Sequence, residues 1–599
     1  MTLTSFDWII VVASIAISFL PALWLARRAG RDSAEFFTSG QAAPWWLIGV
    51  SMVATTFSTD TPNLVANLVR EGGVAANWVW WSFLITGMAT VFFYARLWRR
   101  IGVLTDLEFY ELRYSGAPAR WVRGFRAVYL GLFFNVVIMA AVNLAAAKIA
   151  NVLLGWPIGQ TLIVCGLLNV AFAATSGLWG VMATDFVQFG IAMAGSVVAA
   201  VFALRRPEVG GLDGLVRQIS PETTRMLPDL TNMEVALPIL IVPLAIQSWA
   251  TWYPGAEPGG GSYIAQRMLA ARSERDALTG TLLFNVAHYA LRPWPWIIVA
   301  LSSMLVFPTV ADIGRAIPHV DPKLLGNDMA YPAMLTLLPA GLVGLVVAGL
   351  LSAYVSTIST HLNWGTSYLV HDLYRRFLRP EESERHYVQV GRMTSALLMI
   401  IAGLFTLVLE TARSSFDLLL SVGAGTGLLY LLRWFWWRIN AWSEIAAMAS
   451  SFVLAIALFV AQRRGAAIPS HISLIVMVAV TTTVWLLTAL FTRPTDAATL
   501  TSFYRRARPG GPGWSVIRAA CPDVAPADNI THSFIGWASG VAVVYGALLG
   551  MGQLLLGRVT LGLIGVGIAV VAAVVLTRTL PKLWTDSPVP SRTPASTER

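Results

Sequence analysis

The stretch Ala54-Thr55-Thr56-Phe57-Ser58-Thr59-Asp60-Thr61-Pro62-Asn63 sits in the middle of an apolar run at 44–69, and its reading decides the fold. A continuous membrane helix avoids such a polar cluster. Pro62 lacks a backbone donor and clashes with the preceding turn, so it frees carbonyls around Ala54 to Ser58. In lipid, freed carbonyls persist only where they line a cavity or hold an ion. A simple proline kink would account for the hydroxyls, but not for Asp60, since an ionisable group at membrane depth is costly and usually functional. The run therefore reads as a broken transmembrane helix.

The rest of the chain supports a polytopic membrane protein. Of 599 residues, 56% are hydrophobic and 12% charged, whereas soluble domains carry about 25% charged residues. Mean hydropathy is +0.65. Apolar runs of roughly twenty residues recur along nearly the whole length. We expect spans near 7–26, 44–69, 74–98, 126–153, 157–176, 178–204, 235–257, 277–307, 334–371, 388–411, 416–437, 441–462, 473–492, 533–556 and 558–580, or 14 to 15 helices. The excess of 42 Lys+Arg over 32 Asp+Glu lies mostly in alternate short loops and so sets orientation. The loops expected inside carry Arg99, Arg100, Arg113, Arg120, Arg123 and Arg126, then Arg267, Arg272 and Arg275, then Arg375, Arg376, Arg379 and Arg385, then Arg505, Arg506 and Arg508. The N-terminus is then outside, and a polar tail from Lys582 is inside and disordered. Cys165 and Cys521 are too few for a zinc site or a disulfide framework.

Two further clusters matter. Ala353-Tyr354-Val355-Ser356-Thr357-Ile358-Ser359-Thr360-His361 puts hydroxyls on one helical face. Alone it would be helix-packing glue; beside a broken helix, its neutral hard oxygens suit an alkali cation. Trp249-Ala250-Thr251-Trp252-Tyr253-Pro254-Gly255-Ala256-Glu257-Pro258-Gly259-Gly260-Gly261 forbids a continuous helix. It reads either as a loop leading to Arg267 or as an unwound segment that turns its aromatic walls and the Glu257 carboxylate to a solute. Breaks in spans two and seven mark an inverted-repeat transporter, with spans two to six and seven to eleven as its halves. The expected organisation is 1–43 extra helix and inside loop, 44–440 core, 441–581 additional helices and 582–599 tail.

Several motifs resemble the sodium:solute symporter family. These are Glu35-Phe36-Phe37-Thr38-Ser39-Gly40 with Trp45 and Trp46, then Thr105-Asp106-Leu107-Glu108-Phe109-Tyr110-Glu111-Leu112-Arg113-Tyr114. Gly177-Leu178-Trp179-Gly180-Val181 with Thr184-Asp185-Phe186-Val187-Gln188 follows, then Gln266-Arg267-Met268-Leu269-Ala270-Ala271, and Ala353 to Thr357 with Asn363 and His371-Asp372-Leu373-Tyr374. The resemblance runs from about residue 6 to about residue 440. It implies a five-plus-five inverted-repeat fold and alternating access. It also implies one sodium ion between the first and eighth core helices, held by backbone carbonyls of Ala54, Phe57 and Ala353 and hydroxyls of Ser356 and Thr357. Asp185 would correspond to an acid on the sodium exit path.

The expected solute site combines Asp60, Thr61 and Asn63 at the first break with Asn77 and Trp80 on the second core helix. It adds Trp252, Tyr253, Glu257 and Tyr263 near the second break, and His288 and Arg292 on the seventh core helix. The acid that sodium/sugar members carry on the second core helix is missing from Asn77-Trp78-Val79-Trp80-Trp81, and Gly259-Gly260-Gly261 replaces the Asn ahead of the Gln-Arg motif. His288 and Arg292 share a face. Arg292 would either fork a carboxylate solute or pair internally with Glu257 or Asp60. The sequence is read as a sodium-coupled symporter of a sugar or polyol in a cell membrane, with the bilayer, sodium and solute as its partners. The runner-up solute is an amino acid or monocarboxylate. A transporter-fold sensor is the rival from another class, against which the short tail weighs. An enzyme is disfavoured because His288, His319 and His361 lie in separate segments without a His-x-x-x-His spacing.

Overall fold

The computed structural model describes residues 3–29, 33–250, 257–409 and 423–584. Among them the architecture is all-helical, and only two isolated backbone bridges interrupt it. Among the described residues eleven helices are long and apolar enough to cross a membrane, and Trp45–Thr55, Ile158–Phe172 and Met233–Trp249 are shorter apolar helices. The expected span at 416–437 lies partly outside the described residues.

An extra helix, α1 (Ser5–Ala29), precedes the core. The first core helix stops at Thr55 and restarts at Asp60, giving α2 (Trp45–Thr55) and α3 (Asp60–Gly72). Pro62 falls in the first turn of α3, where its missing N–H costs nothing, so it starts the second half-helix as much as it ends the first. Next come α4 (Val74–Ile101) and α5 (Gly116–Leu154). The helical run α6 (Ile158–Leu204) is broken at Gly177, where φ is 53° and a Cβ would lie 2.7 Å from the Phe36 carbonyl oxygen. That break separates the two spans expected at 157–176 and 178–204.

The second half repeats the plan. α7 (Met233–Trp249) and α8 (Ser262–Ala270) form the other discontinuous helix, followed by α9 (Glu274–Val306), α10 (Leu342–Leu378) and α11 (Glu384–Thr406). α10 packs against α1 and α6, and α9 against α2, so each broken helix is flanked by continuous ones. Ala43 donates to the Ala270 carbonyl (2.9 Å) and accepts from Arg272 (3.0 Å), tying the entry of α2 to the exit of α8. Asp7 of α1 accepts the N–H groups of Gly341 and Gly344 (2.7 and 2.8 Å), capping the start of α10 from another helix.

Next in the chain come α12 (Gly427–Leu432), α13 (Ala441–Arg463), α14 (Ser470–Phe491), the short amphipathic α15 (Ala497–Ala507), and the hairpin α16 (Ile530–Leu555) and α17 (Val559–Thr579). Leu583, expected in the tail, is buried instead, and its carbonyl accepts from Arg96 (2.7 Å) and Asn529 (3.0 Å).

Candidate ion and solute site

Three consecutive residues in the first break serve two sides. The carbonyls of Thr55 and Phe57 face the Thr357 hydroxyl of α10 at 2.9 and 3.5 Å. Between them, the Thr56 hydroxyl faces α9, where it lies 3.0 Å from His288 Nδ1 and 3.2 Å from Arg292 Nη1. The break thus presents backbone oxygen to one helix and a side-chain hydroxyl to another, which an intact helix cannot do because its carbonyls are consumed by the i+4 ladder.

On the α10 side, Ser356 donates to Asp185 Oδ1 (2.6 Å) and Ser51 donates to Asp185 Oδ2 (2.5 Å). Ala54 and Ala353 are buried alongside; the Ala54 carbonyl accepts the Phe57 N–H at 3.0 Å. The expected ion residues on α2, α6 and α10 therefore come together. Neutral hydroxyl and carbonyl oxygens with a single carboxylate behind them form a donor set that fits a monovalent hard cation. Asp185 has a second neighbour. Arg267 of α8 is fully buried, lies 3.8 Å from Asp185 Oδ2, and donates to Ser51 (3.1 Å) and Thr360 (2.6 Å). The loop expected around Arg267 is in fact helix in the core, because hydropathy scores a charge as water-facing even where it is paired inside.

On the α9 side, a wide π turn at Ala287–Leu291 ahead of Pro293 sets the helical phase. Arg292 Nη2 lies 3.2 Å from His288 Nε2. A guanidinium only donates, so Nε2 accepts and the imidazole proton sits on Nδ1, toward Thr56. The Arg292 cation also lies over the rings of Phe57 (5.9 Å) and Trp296 (5.2 Å). Asp60 and Thr61 are partly exposed at the start of α3, and Asn63 is buried beside them. Trp80 stacks on Tyr289 (6.0 Å) and meets His288 edge-on (5.8 Å).

Several expected solute residues sit elsewhere. Asn77 is fully buried, donates to the Val74 carbonyl (3.0 Å) and accepts from Trp80 Nε1 (2.9 Å), so it orients Trp80 instead of facing a solute. Glu257 does not face the first break. Its carboxylate is buried in ion pairs with Arg126 and with Arg433 (3.2 Å), which offer charge compensation that a solute cavity would not. Tyr263 is buried and packs toward His361 (5.7 Å). Trp252 and Tyr253 lie outside the described residues. Arg292 is directed to Thr56 and His288, and Glu257 is held by Arg126 and Arg433 instead.

The sodium:solute symporter family profile matches residues 36–453. This chain belongs to that family. The symporter is 23% identical to a sodium/glucose cotransporter of Vibrio parahaemolyticus over 76% of this chain and 85% of the relative. It is 24% identical to a sodium/mannose cotransporter of Bos taurus over 75% of this chain and 78% of the relative. A sodium-coupled sialic acid symporter, solved substrate-bound and outward-open, shares the fold with a TM-score of 0.66, covering 82% of this chain and 99% of that one at 18% identity.

Sequence reasoning missed three residues of the symporter: Arg126, Arg267 and Arg433. The first two were assigned to loops on charge alone. The usable signal was the spacing of Arg267 within Gln266-Arg267-Met268-Leu269, where it shares a buried helical stretch with apolar neighbours.

Proposed function

We propose that this chain couples sodium entry to uptake of a sugar or related polyol by alternating access. One observation carries the reading: residues 55 to 57 give their carbonyls to Thr357 on the ion side and the Thr56 hydroxyl to His288 and Arg292 on the solute side. An ion drawing the carbonyls of Thr55 and Phe57 toward α10 re-aims Thr56, so occupancy of one site biases the geometry of the other, as coupling requires. Sodium would be held by Thr357, Ser356 and the carbonyls of Ala54, Phe57 and Ala353, with Asp185 receiving it on release.

For the solute, Asp60 accepts hydroxyl hydrogens, Arg292 donates to hydroxyl oxygens, Thr61 and Asn63 extend the edge, and Trp80 supplies an apolar wall. Acid, cation and aromatic ring together match a neutral ring rich in hydroxyls. The names of the glucose and mannose cotransporters support that class. Arg292 alone would favour a carboxylate solute, but Asp60 at the same break repels one. One sodium crossing about 100 mV supplies about 2.3 kcal/mol, and a tenfold gradient adds about 1.4 kcal/mol. The two terms support a solute gradient of roughly several hundredfold. We place the core at 44–440 and the additional helices at 441–581. The chain spans a cell membrane, a bacterial inner membrane in this reading, with its N-terminus outside and the end bearing Arg99, Arg113 and Arg123 in the cytoplasm.

The test is uptake into proteoliposomes under an imposed sodium gradient, with labelled hexoses, polyols, amino acids and monocarboxylates. Sodium-dependent hexose or polyol uptake is expected. Uptake of amino acids or monocarboxylates with none of sugars overturns the solute class.

A further inference from the structure

The Glu257-Pro258-Gly259-Gly260-Gly261 turn is built to carry its acid away from the solute site. Gly260 N–H donates to the Glu257 carbonyl (3.0 Å), closing a turn with Pro258 first and Gly259 second, where φ is +81°. The other two glycines serve close approach. A Cβ on Gly260 would meet the Met268 terminal methyl at 2.4 Å, and one on Gly261 would strike the Glu257 carboxylate at 2.6 Å. Trp98 Nε1 donates to the Gly259 carbonyl (2.9 Å), and the Tyr94 ring lies against the same glycine.

The folded-back carboxylate bridges two parts of the protein. Arg126 comes from α5, and Arg433 from the segment just after α12. Arg126 donates to the Tyr430 hydroxyl (2.6 Å) and Arg433 to the Tyr110 hydroxyl (2.7 Å). Glu444, at the start of α13, lies 3.6 Å from Arg433 and accepts from Tyr114 (2.8 Å). Asp106 accepts the Ser262 N–H (2.9 Å) and the Tyr368 hydroxyl (2.5 Å), holding the first residue of α8 to the same wall; its burial pushes that carboxyl above the usual range. In formal charge, Arg126 and Arg433 balance Glu257 and Glu444. At the opposite end the Lys148–Asp328 pair spans 3.3 Å with its acid about one-third exposed, and Arg70 donates to Asn327 (3.0 Å), Ser303 (3.2 Å) and the Phe307 carbonyl (2.8 Å).

We propose that Glu257 is a positioning residue for transport, the bolt of the inner gate. It ties the entrance of α8 to α5 and to the segment after α12, and it must leave both arginines before the cytoplasmic side can open. The bolt also gives α13, a helix outside the repeat, a share in gating through Glu444. This inference rests on the alternating-access reading above.

The test uses the full chain with Cys165→Ala and Cys521→Ala and the reporter Ser262→Cys, which is fully buried behind the turn. A membrane-impermeant maleimide is applied to the cytoplasmic face of inside-out vesicles. In this parent, sodium should slow labelling severalfold. Adding Glu257→Gln should raise the labelling rate in sodium at least tenfold and erase the protection. Equal rates in parent and variant, with sodium protection intact, overturn the bolt alone. Labelling that ignores sodium in the parent removes alternating access, and the bolt with it. Should Glu257→Gln fail to fold, hydrogen exchange on the unmodified chain decides: the Gly260 and Ser262 amides should exchange at least tenfold more slowly with sodium than without, and equal rates overturn the proposal.

Discussion

The two broken helices solve the same backbone problem in opposite ways. At residues 56 to 61 the break is short and partly open, with Thr56, Asp60 and Thr61 all accessible, and its polar groups face neighbouring helices that hold neutral oxygens, one guanidinium and one imidazole. At residues 257 to 263 every side chain is buried, and the Glu257 carboxylate and the Gly260 and Ser262 amides are taken up by two arginines, a turn and the Asp106 carboxylate. A break that must bind and release a ligand keeps unspent hydrogen-bonding capacity. One that must hold a wall shut satisfies that capacity internally. Glycine content follows the same division: the sealed break needs positive φ and bare backbone, and the open one contains no glycine at all.

That contrast can be broken most sharply at Arg292. Replacing it with Gln removes a charge-assisted donor of about 1.5–3 kcal/mol, so solute affinity should fall about hundredfold while the sodium-only current survives. The measurement is sodium-coupled current against solute concentration. An unchanged affinity would move the solute away from the first break.

A smaller effect is expected on the ion side. Ser356→Ala with Thr357→Ala deletes the hydroxyl beside the Thr55 and Phe57 carbonyls and the one bonded to Asp185, and the sodium concentration giving half-maximal uptake should rise roughly tenfold. Unaltered sodium dependence would remove the ion from α10. Smallest is Asp185→Asn, which keeps the contacts to Ser51 and Ser356 in size but lowers the charge that faces Arg267. Turnover should slow about fivefold with equilibrium solute binding changed less than about twofold; parallel losses would make Asp185 structural.

The residues of the candidate ion site were legible because their signals are local. Pro62, the Thr/Ser run and the Ser356-Thr357 pair are each conspicuous in apolar sequence, and the resemblance to the sodium:solute symporters supplied their pairing. The candidate solute site was less legible. His288 and Arg292 are four residues apart and share a face in any helix, whereas Asn77 is equally polar and spends its amide on Val74 and Trp80. A polar residue near a cavity reads the same whether it faces the ligand or supports a neighbour that does.

Sequence alone determined the membrane class, the two breaks and the identity of the residues at the first one, since these depend on composition, backbone donors and helical period within a few residues. Tertiary structure decided what Glu257, Arg267, Arg126 and Arg433 do. A charge inside a membrane protein must be compensated, and its partners here lie 82 residues away for Arg267 and Asp185, and 131 and 176 residues away for Glu257 with Arg126 and Arg433. No local pattern encodes which distant charge arrives, so an acid at a break reads as a ligand group until the fold supplies its arginines.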